Sequence, residues 1–173
     1  MIYVVRHGQT DWNLEGKYQG HQDIDINQQG VKQALEVKMM LKEVDIDIAY
    51  SSPLIRAINT AKIIYDGSIT LDERLIERGN GDLEGRLKKD CHGLIDFSDP
   101  NDTRYGVEPL DHFRERINSF FEEILKKHKH KNILVVTHGG VTIYAKCFFD
   151  GEPTDGNYNS LIIQNCNILS FPN

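Results

Sequence analysis

The sequence predicts a three-layer α/β/α sandwich around a mostly parallel sheet with an antiparallel edge strand. Three observations predict it. The runs "MIYVV" and "NILVV", rich in Val and Ile, stop at glycine-containing loops, as buried strands do. Segments of helical periodicity alternate with these runs, which is the pattern of a sheet covered on both faces. The closing stretch "LIIQNCNILSF" reads as a pair of short strands, with antiparallel pairing at the end of the chain.

Taken in order, the first strand covers residues 1–5 and delivers Arg6 and His7 into a loop. "NQQGVKQALEVKMMLKEV" carries Val31, Ala34, Leu35 and Leu41 at near-helical spacing, with Asn27 as N-cap. "IDIAY" is the second strand. Ser52 before Pro53 has the N-cap and first-turn pattern, so Arg56 falls near the start of a helix at the same sheet edge as His7. Residues 69–71 form a short extended piece. "DERLIERGNGDLEG" reads as a loop because of Gly79, Gly81 and Gly85.

The segment 86–108 is polar and fits no simple period. From Pro109, a long helix places Leu110, Phe113, Ile117, Phe120, Phe121 and Ile124 on one face. Its basic end, "KKHKHK", complements the negative end of the helix dipole. "NILVV" then leads to a second His-Gly at His138, and "GGVTIYAKCFF" is the helix behind it.

With 173 residues and no internal repeat, residues 1–173 read as a single domain. The net charge of -6 argues against a nucleic-acid or anionic-membrane partner, so any anion site must be local. Cys91, Cys147 and Cys166 are separated and odd in number, which indicates neither a disulfide framework nor a zinc site and suits a reducing cytoplasm. The apolar start is broken by Arg6 and His7, far short of a signal-peptide core or membrane span. A soluble cytoplasmic protein is expected.

One histidine after a strand is ordinarily a loop residue. Here Arg6 precedes His7, Arg56 begins a helix at the same edge, and His138 ends another strand, so positive charge converges in an acidic protein. A compact anion suits that arrangement, and a guanidinium fork matches phosphate oxygens. Glycines at 8, 139 and 140 let backbone N–H groups approach it. Nearby arginines disfavour the cationic imidazole, so one histidine can be a neutral nucleophile while the other steadies the transferring group. A proton for the leaving oxygen is still needed, and Glu77 and Glu84 both lie in the glycine-rich loop.

At this point "RHGQTDWN", "SSPLIRAINTA", "LIERGNGDLEG" and "VVTHGG" resemble the ordered motifs of the histidine phosphatase superfamily, in its phosphoglycerate mutase-like branch. The resemblance implies that His7 forms a phosphohistidine, that Arg6, Arg56 and His138 build the phosphate pocket, and that Glu77 is the proton donor, with Glu84 structural. It further implies polar substrate contacts from Thr10 and Asn13, a loop at Gln19 and Gly20 beside the substrate, and Gly139 against the bound group.

The implied activity is hydrolysis of a small phosphorylated metabolite, with no cofactor and no metal. Two departures from the mutase pattern favour hydrolysis. The segment 86–108 is a short lid where mutases carry a longer insertion, and Asn80 stands where a mutase places a tyrosine. A cofactor-dependent phosphoglycerate mutase is the alternative, and a noncatalytic phosphate-binding module the third reading. Cys91 to Gly93, a further His-Gly without a preceding strand, reads as lid or surface loop, and Trp12 as packing that fixes Asn13.

Overall fold

The computed structural model describes residues 1–96, 99 and 101–173. Its 5-stranded sheet contains β1 (Ile2–Arg6), β2 (Ile48–Ser51), β3 (Ile69–Leu71), β4 (Ile133–Thr137) and β5 (Ile168–Phe171), in the spatial order β3-β2-β4-β1-β5. β1, β4, β2 and β3 pair in parallel, and β5 adds antiparallel to the free edge of β1. The predicted fold class is the observed one.

The helices are α1 (Asp11–Glu15), α2 (Gln28–Met40), α3 (Ile55–Ile64), α4 (Leu110–Lys127) and α5 (Gly139–Asp150). Every residue of β4 is buried, because helices cover both faces of the sheet. Ile133 and Val135 join Phe113, Ile117, Phe120, Phe121 and Ile124 of α4 and Val141 and Ala145 of α5. Leu134 and Val136, on the other face, join Ala34 and Val37 of α2 with Ala57, Ala61 and Ile64 of α3. Strand periodicity of two therefore feeds two cores. The apolar stripe predicted for α4 is buried in full, and truncating Phe120 or Phe121 there would cost about 3–5 kcal/mol.

Register positions the site. Arg6 pairs with Thr137 across β1 and β4, so the next residues, His7 and His138, leave the sheet side by side at its carboxyl edge. Open α/β sheets place ligands at that edge.

The structure departs from the sequence reading in several places. Only residues 168–171 of the closing stretch form a strand; Tyr158–Leu161 is a single 3₁₀ turn. A turn over 164–167, with Cys166 at φ 58, bends the chain before it can pair. Helix α3 starts at Ile55 behind Leu54, not at Ser52; the Ser52 hydroxyl is committed elsewhere. In α2 the buried side is Gly30, Ala34 and Val37, and Val31 and Leu35 face solvent. Asn27 does cap this helix, accepting from the Gly30 N–H.

Of the segment 86–108, residues 97, 98 and 100 lie outside the described residues. Its described part is less polar than expected inside, since Cys91, Ile95 and Val107 pack on Leu83 as a small separate core.

Candidate active site

A cavity of about 950 Å³ opens at the carboxyl edge of the sheet, lined by Arg6, His7, Asn13, Gln19, Gly20, Arg56, Glu77 and Gly139, among others. These come from β1 and the turn after it, α1, the loop at 19–22, α3, the glycine-rich loop and α5. The structure thus brings most of the predicted site residues to one wall. Thr10 and His138 are not on that wall; both are fully buried behind it.

His7 sits with its Nδ1 2.7 Å from the Gly8 carbonyl oxygen. A carbonyl only accepts, so Nδ1 carries the proton and Nε2 keeps its lone pair. Burial, with Arg56 and Arg6 adding to it, holds the His7 pKa well below the ordinary imidazole value. The ring is therefore neutral and nucleophilic at Nε2. Its backbone is pinned too: Asn165 Nδ2 donates to the His7 carbonyl at 2.9 Å, and the Gly8 N–H donates to Thr60 Oγ1 at 2.9 Å.

His138 lies 5.2 Å from His7, ring centre to ring centre, and has the opposite tautomer. Arg56 Nε donates to its Nδ1 at 3.2 Å, which leaves the proton on Nε2, 2.7 Å from Ser52 Oγ. Burial, then Arg56, His7 and Arg6, also hold this histidine neutral. Both ring nitrogens are occupied, so in this arrangement His138 acts as the acceptor that orients Arg56. To donate to a phosphoryl group it must first release that bond.

Arg56 is fully buried, and burial pulls its pKa down to about 10. Its Nη1 and Nη2 donate at 2.7 Å to the Gln22 and Gly20 carbonyls. Each of these nitrogens has a second hydrogen to offer. Arg6 Nη1 donates to Ile163 O at 2.6 Å, while its buried Nε has no partner among the described residues. A buried unsatisfied donor is costly, and an anion at this spot would satisfy it.

Glu77 accepts from the Gly140 N–H through Oε2 at 3.1 Å and from the Arg78 N–H through Oε1 at 2.9 Å. A Cβ on Gly140 would stand 2.3 Å from Glu77 Oε1, which explains why the second His-Gly is followed by another glycine. Glu84 is held by three hydrogen bonds within the surrounding loops. Its Oε1 accepts from the N–H groups of His21 and Asn80, and its Oε2 accepts from Gln22 Nε2. It packs so closely on Gly20, at φ 50, that any side chain there would collide with it.

Thr10 turns inward as the N-cap of α1, with Asn13 closing a capping box. Its hydroxyl donates to Gln19 Oε1 at 3.0 Å. Asn13 Oδ1 receives Thr10 N and Asn165 Nδ2, so its remaining offer to a ligand is its amide N–H₂. Trp12 packs on Gly85 rather than lining the cavity. Arg78, Lys88, Lys89, His92 and Gly93 also line the cavity.

Sequence reasoning missed Ser52, Asn165, Tyr144 and Arg114. Tyr144 forms part of the outer wall, and burial pushes its hydroxyl up to about 12, so it stays neutral. Among the described residues no group of three or more His, Cys, Asp or Glu is placed to hold a metal ion, and no helix is long and apolar enough to cross a membrane.

Fold and site together define an α/β protein that gathers two neutral imidazoles, the buried Arg56 and the partly buried Arg6 near the Glu77 carboxyl group, at the sheet edge where ligands bind. The chain belongs to the histidine phosphatase superfamily (branch 1), whose model matches residues 2–171. It is 39% identical over 153 residues to phosphoglycerate mutase-like protein 4 of Arabidopsis thaliana, covering 81% of this chain and 66% of that protein. It is 31% identical over 169 residues to putative phosphoserine phosphatase 2 of Hydrogenobacter thermophilus, covering 91% and 82%. A crystal structure of phosphoserine phosphatase in complex with 3-phosphoglyceric acid, from Entamoeba histolytica, superposes with a TM-score of 0.82 at 29% identity, covering 96% of this chain and 87% of that one. The chain spans 66% of the length of that Arabidopsis relative and 64% of another, named metal-independent phosphoserine phosphatase.

Proposed function

We propose that this chain is a phosphomonoesterase that hydrolyses small phosphorylated metabolites through a phosphohistidine on His7. One observation carries the proposal: a neutral His7 with its Nε2 lone pair free lines the same cavity as Arg6, Arg56 and Glu77.

Nε2 attacks phosphorus, the ester P–O bond breaks, and the leaving oxygen takes a proton from the Glu77 carboxyl. Water then gives a proton to the Glu77 carboxylate and attacks phosphorus, breaking P–N and releasing phosphate. The Arg6 guanidinium, the spare N–H groups of Arg56 and the Asn13 amide meet the equatorial oxygens, where charge is spread in the transition state. These fixed cations do the electrostatic work that a metal does elsewhere. Gln19 and Gly20 border the bound group. Gly139 lets Arg6 lie close, since a Cβ there would be 3.3 Å from the guanidinium carbon. Thr10 acts indirectly, by capping α1 and fixing Asn13.

The names of the phosphoserine phosphatase relatives support a small hydroxy-compound phosphate as substrate. A noncatalytic docking module would have its nucleophile or acid withdrawn, and both line the cavity. A relative named 2,3-bisphosphoglycerate-dependent phosphoglycerate mutase, from Cytophaga hutchinsonii and 30% identical over 153 residues, favours a second reading, phosphoglycerate mutase. The described part of 86–108 supports a short cover, with Lys88, Lys89 and His92 on one wall. Free cysteines, two of them buried, suit the cytoplasm.

Rapid-quench labelling tests the proposal. An acid-labile phosphoenzyme should form from a phosphomonoester and discharge to water. With 3-phosphoglycerate and a 2,3-bisphosphoglycerate primer, phosphorus NMR should show phosphate release outrunning isomer exchange. Exchange faster by more than about tenfold, roughly 1.4 kcal/mol in barrier, would select the mutase.

A further inference from the structure

Glu77 lies between two 3₁₀ turns, Glu73–Leu75 and Gly81–Leu83, and belongs to no helix or strand. A reacting group on such a loop needs its rigidity from outside. The source is on α4. A guanidinium has five N–H donors, and in Arg116 all are used: Nε to Glu108 Oε1 at 2.9 Å, Nη1 to the Arg74 and Ile76 carbonyls at 2.7 and 2.6 Å, and Nη2 to the Glu77 carbonyl at 3.1 Å and Glu108 Oε2 at 3.0 Å.

Glu108 extends the grip. Its Oε2 accepts from the Gly79 N–H, its own N–H donates to the Gly79 carbonyl, and its carbonyl accepts from Arg78 Nε. The two side chains are only 14% and 11% exposed. A buried ion pair by itself is weak evidence for stability; this one reaches five successive or near-successive residues of a single loop. Neither partner lines the cavity.

We propose that Arg116, with Glu108, is a positioning residue for Glu77: it fixes the backbone from which the carboxyl group reaches the reacting atoms. The proposal rests on the reading of Glu77 as proton donor. A lysine cannot replace the fork, since a point ammonium with three donors cannot hold three carbonyls and a carboxylate in one plane.

The test compares Arg116→Lys, Glu108→Gln, Glu77→Gln and the double variant Arg116→Lys/Glu77→Gln on an alkyl ester, glycerol 3-phosphate, and an aryl ester, p-nitrophenyl phosphate. The aryl leaving group needs little protonation, so its turnover reports the rest of the site. Arg116→Lys should lower kcat on the alkyl ester by about tenfold or more with little change in KM, spare the aryl ester, and add nothing to Glu77→Gln. Glu108→Gln should show the same selectivity and carries the test if Arg116→Lys fails to fold. Equal losses on both esters, with Glu77→Gln still selective, overturn the positioning role alone. Equal losses for Glu77→Gln overturn the proton-donor assignment, and the positioning role with it.

Discussion

His7 and His138 leave neighbouring parallel strands through the same local pattern and in register, yet only His7 reaches the cavity. The difference lies in what takes up the ring nitrogens. His7 gives one to the carbonyl of the residue beside it and keeps the other. His138 gives both away, to Ser52 and to Arg56, 86 and 82 positions distant. Two similar strand ends thus leave their rings differently bonded because of a third segment, the stretch from Ser52 to Arg56 that leads from β2 into α3. The lesson is that a histidine's role here is set by its acceptors and donors, not by its strand.

Substitution of each histidine breaks or sharpens that contrast. His7→Ala should abolish both phosphate release and the acid-labile label, since the covalent step is assigned to its Nε2. His138→Ala should keep the label and lose about 10²–10³ in kcat, because Arg56 remains tethered to the Gly20 and Gln22 carbonyls but loses its fixed aim. Equal, complete losses in both would erase the distinction.

Stability against pH shows what the pair shares. Both histidines are held neutral in the fold, with pKa values depressed chiefly by burial. Below the unfolded imidazole value of about 6.5, the unfolded chain binds protons that the folded chain refuses, so stability present above that pH is lost as pH falls. Each contributes a slope of up to roughly 1.4 kcal/mol per pH unit. Urea titrations from pH 7 to 5 should show the slope reduced in His7→Ala and in His138→Ala alike. A slope untouched by either substitution would mean that ring is already charged.

Smaller effects separate orientation from contact. Ser52→Ala leaves a buried imidazole N–H unpaired and should cost about 1–3 kcal/mol in urea unfolding, with the His7 label still forming. Thr10→Ala removes a helix cap and should cost about 1 kcal/mol with little change in KM. A KM rise without destabilisation would return Thr10 to the substrate.

Much of this was legible in the sequence. The unbroken apolar run at 133–136 and the 3.6-residue stripe of α4 each have one physical solution, and the His-Gly ends mark the sheet edge. Where two solutions existed, the sequence was silent. In α2, Val31 and Leu35 have the same helical spacing as the buried side, and the small residues won because the turn at Gly8 and Gln9 presses on Gly30, where a Cβ would stand 2.3 Å from the Gln9 carbonyl oxygen, and α3 packs on Ala34. Ser52 fits an N-cap by its chemistry, but His138, distant in sequence, claims it. Arg116 looks like any polar residue on an amphipathic helix, and Asn165 like part of a strand. Their bonds join segments far apart in the chain, and nothing local announces them.

Asn165 ties the His7 carbonyl to the Asn13 amide from 158 positions downstream. Asn165 lies just ahead of β5, the edge strand that pairs antiparallel with β1, so the clamp closes only where that strand has docked. Opening of this one edge would free the His7 and Asn13 contacts together, a local event that need not wait for global unfolding.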